Sequence, residues 1–160
     1  MLGGPVRAVY AELDRRHAAV TVPDDLFVAL THASGLRSHL HASVAAGLPG
    51  PRFAAFGSRA AYVKHGADPQ EDALRAGARP EGPGWGEEPP ERWGTLGAGD
   101  AREPVRTHPG SYPRYYAGIV EALRAGGPPP VSPEDAITGL EILEAARVSA
   151  AEGRVVTLDA

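Results

Sequence analysis

Residues 36–44 (LRSHLHASV) alternate with a period of two, and this alternation constrains the fold most. Leu36, Ser38, Leu40, Ala42 and Val44 fall on one side of an extended chain, and Arg37, His39, His41 and Ser43 on the other. A strand with one apolar and one polar side belongs to an antiparallel sheet covered on a single face. Segment 25–32 (DLFVALTH) precedes it across Ala33-Ser34-Gly35, a small-residue turn that makes the two runs a hairpin. Segment 6–13 (VRAVYAEL) reads as a further strand. A second hairpin is expected from 52–56 (RFAAF) and 60–64 (AAYVK), with Gly57 supplying a positive φ in the turn.

The period then lengthens. Asp68-Pro69-Gln70-Glu71 has the cap, the first-turn proline and the acid three residues on that open a helix, which Gly77 closes. Tyr112, Tyr115, Tyr116, Ile119, Val120 and Leu123 recur at helical spacing between a Ser111 cap and Gly126. Ser132-Pro133-Glu134-Asp135 opens a last helix, with Ala136, Ile137, Leu140, Leu143 and Ala146 as its expected buried stripe and Gly139 as a site of close packing. Gly153 stops it, and 154–158 (RVVTL) returns as a strand. Strands, then helices, then one strand specify an α+β fold: a mostly antiparallel open β-sheet with helices packed on one face.

Between residues 77 and 110 no period survives. Much of the chain's stock of 20 glycines and 16 prolines lies here, as in GPGWGEEPPERWG, and the segment reads as one long irregular excursion. Both tryptophans, Trp85 and Trp93, fall inside it. A wholly solvated loop has little use for two indoles, so the pair reads as pins, or as a cover over a ligand or partner.

Composition excludes several classes. With 16 Lys and Arg against 20 Asp and Glu and no basic block, the chain lacks an electrostatic footprint for nucleic acid. The absence of cysteine removes disulfides, thiolate metal sites and a Cys nucleophile, and fits a reducing cytoplasm. No apolar run is long enough for a bilayer, and the start has no signal-peptide core.

Few residues are arranged for chemistry. Gly97-Ala98-Gly99 is half of a dinucleotide fingerprint, but Arg102 stands where the third glycine belongs and no strand leads in. His39 and His41 share a strand face and could meet one metal, with His32 on the adjacent strand as a third ligand; the competing reading is a pair of polar residues on a sheet face. No G-x-S-x-G elbow occurs, and the acid pairs Glu87-Glu88 and Glu134-Asp135 read as a solvated loop and a helix start. The densest polar cluster is Lys64, His65, Asp68, Gln70 and Glu71, at the corner between a hairpin strand and a helix. Such a corner can hold a polyol or carboxylate through several hydrogen bonds, or can simply be a capped turn with a Lys–acid pair.

Several blocks in fixed order (HASV, GPRFAAFGSRAAYVKHGADPQEDAL, GPGWGEEPPERWGTL and SYPRYYAGIVEALRAGG) make residues 3–158 resemble the C-terminal half of Gfo/Idh/MocA oxidoreductases, in the branch of scyllo-inositol and related sugar or polyol dehydrogenases. The resemblance implies a substrate-binding and oligomerisation domain that works beside an N-terminal Rossmann domain carrying NAD or NADP and the catalytic lysine. The glycine fingerprint, the Glu-Lys-Pro motif and the junction helix with its Asp and His do not occur in these residues. The resemblance therefore implies no catalytic, cofactor-binding or metal residue here, and no turnover by this chain alone. It leaves Lys64, His65, Asp68, Gln70 and Glu71 as candidate substrate contacts. Arg37, His39, His41, Ser43, Trp85 and Trp93 become candidate interface residues for a homo-oligomer or for the Rossmann partner. A non-enzymatic ligand-binding or dimerisation module is the alternative.

Overall fold

A computed structural model describes residues 3–159. In chain order its elements are β1 (Val6–Asp14), β2 (Asp25–His32), β3 (Arg37–Ser43), β4 (Phe53–Phe56), β5 (Ala61–Lys64), α1 (Pro69–Arg75), a 3-10 turn (Pro90–Arg92), β6 (Gly94–Ala98), β7 (Ala101–Val105), α2 (Tyr112–Ala125), α3 (Pro133–Glu152) and β8 (Val156–Thr157). The fold is α+β with two open antiparallel sheets and accompanying helices. The chain divides into two compact units, residues 1–47 with 131–160 and residues 48–130.

The first unit is the four-stranded sheet β3-β2-β1-β8 with α3 against it. Val6, Val9 and Ala11 of β1 meet Ala145 and Ala146 of α3, with Val28, Leu30 and Ile142 around them. Val6 and Val9 share a face although their numbers differ in parity, because the register slips between Val6 and Ala8. That bulge inserts one residue and restores both valines to the core side. Ser149 ties the layers together: its Oγ accepts from Ala11 N at 2.9 Å and donates to Arg154 O at 2.6 Å.

Two expectations for α3 fail. Ile137, Leu140 and Leu143 are exposed, and the buried face runs instead through Ile142, Ala145, Ala146 and Ser149. The helix is apolar on two sides, so periodicity could not tell which side meets this sheet. Gly139 faces open space and packs against nothing. The start and stop are as read, with Ser132 Oγ accepting from Asp135 N at 3.0 Å and Gly153 left-handed at φ 64°. On β3, Leu40 shares the α3 side of the sheet through its pairing with Val28, yet it is 48% exposed.

The second unit holds the sheet β4-β5-β6-β7. Residues 77–110, read from sequence as one irregular stretch, contain the β6–β7 hairpin, paired from Gly94↔Val105 to Ala98↔Ala101. Gly94, Gly97 and Pro104 hide it, being residues that weaken strands; Pro104 is tolerated on an edge strand. A Cβ at Gly94 would collide with the Tyr62 ring, so the missing side chain makes room for the neighbouring strand's aromatic. Gly57 turns the β4–β5 hairpin without a positive φ, contrary to expectation, and its N–H bonds Ala60 O at 2.9 Å. Ser111 starts α2 without a side-chain cap bond. The tyrosine-rich stripe of α2 is not buried, and Leu123 is 82% exposed.

Candidate functional site

The fully buried side chains of the second unit are polar. At the end of β5, Lys64 turns inward with its side chain 6% exposed, and meets Glu88, which is 2% exposed. The Lys64 ammonium donates to Glu88 Oε1 at 3.0 Å and to His65 O at 2.6 Å. Removing an ammonium and a carboxylate from water is expensive, and the pair is tolerated only through its mutual attraction and added hydrogen bonds. Glu88 was expected in a solvated loop; the structure corrects this, because the loop folds back and places it against a lysine 24 positions away. Sequence offers one weak signal for the pair, a lysine in a strand with no nearby acid at hairpin spacing.

Burial pushes the Glu88 carboxyl up, but the Thr107 hydroxyl, the Lys64 bond and charge, and the Arg92 charge outweigh it and hold the group below the usual carboxylate range. The Thr107 hydroxyl favours the carboxylate form, and Glu88 Oε2 and Thr107 Oγ1 are both closed off from solvent. Both residues line a cavity of about 200 Å³ whose wall also includes Arg52, Tyr62, Lys64 and Asp68.

The other candidate contacts are drawn into a latch. Asp68 caps α1, accepting from Gln70 N at 3.0 Å. Gln70, 1% exposed, donates from Nε2 to both Asp68 carboxylate oxygens at 3.2 and 3.1 Å. Its Oε1 accepts from Trp85 Nε1 at 2.6 Å and from Tyr112 N at 3.0 Å. Glu71, placed for a capping box, instead accepts the Tyr112 hydroxyl and so raises the pKa of that phenol. Asp68, Gln70 and Glu71 thus join α1, the loop at Trp85 and the start of α2. Within the chain their polar atoms are largely engaged.

His65 is exposed and lines a second, wider depression of about 760 Å³ beside Val63, Arg92, Trp93, Thr95 and Arg102. Arg92 donates to Ala67 O at 3.2 Å, and Trp93 Nε1 donates to Glu88 O at 3.1 Å. Both indole N–H groups are therefore used inside the chain, while Trp85 and Trp93 stay partly exposed.

Arg37, His39 and His41 pair with Thr31, Ala29 and Phe27, on the sheet face opposite α3. This face also carries Tyr10, and the His39 and Phe27 rings lie 5.7 Å apart. His32 belongs to the other face, where Nδ1 meets Gly4 O at 3.1 Å and Nε2 meets Ser38 Oγ at 2.9 Å. It cannot join His39 and His41 on a metal, and no group of three metal-ligating side chains occurs among the described residues. No described helix is long and apolar enough to cross a membrane.

Comparison with known proteins matches residues 1–158 to the Gfo/Idh/MocA oxidoreductase family, C-terminal alpha/beta domain. The chain is 36% identical over 163 residues to scyllo-inositol 2-dehydrogenase (NADP(+)) IolW of Bacillus subtilis, covering 99% of this chain and 45% of that protein. It is 38% identical over 122 residues to the Escherichia coli oxidoreductase YdgJ, covering 75% and 35% respectively. Among solved structures, the Bacillus subtilis oxidoreductase YvaA superposes with a TM-score of 0.89 at 34% identity, over 98% of this chain and 46% of that one. An oxidoreductase of Bacteroides fragilis gives 0.87 at 34% identity, over 98% and 48%. The chain spans less than half the length of these relatives.

Proposed function

The chain belongs to the Gfo/Idh/MocA oxidoreductase family as its C-terminal alpha/beta domain, and from that premise we propose that it is the substrate-binding and oligomerisation part of an NAD(P)-dependent oxidoreductase acting on a hydroxyl or carbonyl of a sugar or polyol. The observation that carries this reading is the match of residues 1–158 to the family's C-terminal domain at 36% identity to a scyllo-inositol dehydrogenase, with the cavity beside β5, walled by Arg52, Tyr62, Lys64 and Asp68, as the candidate place for substrate.

A nicotinamide dinucleotide does not fit the described residues. Its pyrophosphate needs a glycine turn between a strand and the N-terminus of a helix. Here Gly97-Ala98-Gly99 lies in β6 and the turn to β7, so the backbone amides around it serve a hairpin. Hydride transfer also needs a positioned acid or base beside the carbinol carbon. On this reading the domain supplies binding and orientation, NAD or NADP sits on a Rossmann partner, and the described residues by themselves give no turnover.

Exposed apolar surface supports a partner-covered domain. Ile137, Leu140 and Leu143 on α3, and Tyr116, Val120 and Leu123 on α2, form helical stripes open to solvent. The face bearing Arg37, His39, His41 and Ser43 is the proposed contact between copies, with Trp85 and Trp93 as further candidates. The test is a fusion of the chain to the Rossmann domain of the Bacillus subtilis relative, assayed with NADPH formation from scyllo-inositol. Turnover by the fusion and none by the chain alone is expected. Tight binding of NADH or NADPH to the chain alone would overturn the reading.

A further inference from the structure

We propose that the outer edge of β3 docks a second copy of this chain, the two strands pairing antiparallel about a two-fold axis at Leu40 so that two sheets become one. This rests on the oligomerisation half of the reading above and adds an edge-to-edge contact to it. The sheet order β3-β2-β1-β8 puts β3 outermost. Backbone bonds fix which of its residues turn inward: Val44 N donates to Asp24 O at 3.0 Å, and Leu36 O accepts from His32 N at 2.9 Å. Even-numbered positions are therefore the ones bonded to β2. Arg37, His39, His41 and Ser43 consequently direct their N–H and C=O groups away from the sheet. The strand has none of the devices that discourage edge pairing, since no proline, lysine or bulge interrupts its register with β2.

The side chains select the register. With Leu40 opposite the second copy's Leu40, Leu36 falls opposite its Val44 and Val44 opposite its Leu36. These three apolar side chains lie on one side of the strand and are exposed to 48, 45 and 75% for Leu40, Leu36 and Val44, so the pairing covers each with another. Moving the axis by one residue sets Leu40 against Ser38 or Ala42 and loses the match. On the other side of the strand, the same register sets Arg37 against the second copy's Ser43 and His39 against its His41, with no like formal charges opposed. Asp25 is the next residue across from Ser43, on β2, so each copy brings the Arg37 guanidinium toward the other's acid. The strand is its own complement in both rows of side chains.

The experiment uses the full chain, which has no cysteine of its own. Leu40→Cys puts two thiols across the axis at a non-hydrogen-bonded pair, where Cα atoms approach to about 4.5 Å, within the range of a disulfide. Copper-catalysed air oxidation should link Leu40→Cys into a covalent dimer. Ala42→Cys should stay unlinked, because in this register its two copies lie about 13 Å apart along the strands. In the wild type, hydrogen exchange of the His39, His41 and Ser43 amides should slow about tenfold once roughly a tenth of the chains remain free. The Leu40 and Ala42 amides, bonded within the sheet, should exchange slowly at every concentration. A contact through the sheet face would not alter the outward amides in this way. In a chain that light scattering shows as an oligomer, three results overturn the edge contact and leave the oligomerisation reading standing: Leu40→Cys unlinked, Ala42→Cys linked equally, or outward-amide exchange independent of concentration. A chain that is monomeric at every concentration and yields no Leu40→Cys dimer overturns both.

Discussion

The indole N–H of Trp85 donates to Oε1 of Gln70 at 2.6 Å, and the same oxygen takes the Tyr112 amide at 3.0 Å. One buried carboxamide thereby fixes a glycine-rich loop and the first turn of α2 against α1. Gln70→Leu would leave two donors and the Asp68 carboxylate short of partners, at about 1–3 kcal/mol for each buried group that finds no water. We expect urea denaturation to show a loss in that range or above for the second unit, with a shift in Trp85 emission in a Trp93→Phe background. Unchanged stability would show that solvent satisfies these groups.

The Lys64–Glu88 pair makes a prediction whose sign differs between single and double variants. Glu88→Ala or Lys64→Ala alone should destabilise by about 3–5 kcal/mol, because each leaves a buried charge uncompensated. Lys64→Met with Glu88→Leu should recover most of that loss. A double-mutant cycle from denaturation midpoints measures the coupling, and additive single losses would contradict it.

Acid should act on the same pair. Because the folded state holds the Glu88 carboxyl below its ordinary value, folding favours its charged form. The stability it contributes is present above the unfolded value, about 4.3, and is lost as pH falls through the lower folded value. Stability measured from pH 6 down to 3 should fall more steeply in the wild type than in Glu88→Gln. Parallel curves would assign the acid response to other carboxylates, such as Asp24, which the Arg16 amide also holds low.

Gly110 offers a steric test. A Cβ there would run into the Asp68 carboxylate and the Gln70 amide. Neither can swing aside without giving up its bonds, so Gly110→Ala should open the latch and destabilise by about 1–3 kcal/mol. Calorimetry on the variant checks this, and an unaltered midpoint would mean that the loop relaxes freely.

The proposed contact face makes a prediction about mass. Ala29→Glu places a charge between Tyr10 and His39 on the open face, where an isologous contact would bury it against its copy. Light scattering should show the wild type as an oligomer and the variant as a smaller species. A wild-type monomer at every concentration would remove the self-contact.

Local rules made much of the fold legible. β2 spans the segment 25–32 read from its apolar centre, and α1, α2 and α3 start at Ser or Asp with proline one or two residues on and stop at or beside glycine. What stayed hidden depends on distant partners. The β6–β7 hairpin forms from poor strand residues because β5 pairs beside it and Tyr62 fills the space over Gly94. The bulge that puts Val6 with Val9 breaks the alternation that would have marked a core face. Around the candidate cavity, sequence singled out Lys64 and its corner, whereas Glu88 and Thr107, brought in from distant positions, have no local signature.

The Ser149 hydroxyl, bound to Ala11 at one end of the chain and to Arg154 at the other, sets an order of events on the ribosome. Strands β1 to β3 leave the exit tunnel before α3, and their hydrophobic side stays bare until α3 follows. Residues 48–130, a separate compact unit, emerge in between. The first sheet is thus open to misassociation while residues 48–130 are being made, and nascent chains halted before α3 are the ones a chaperone should be found holding.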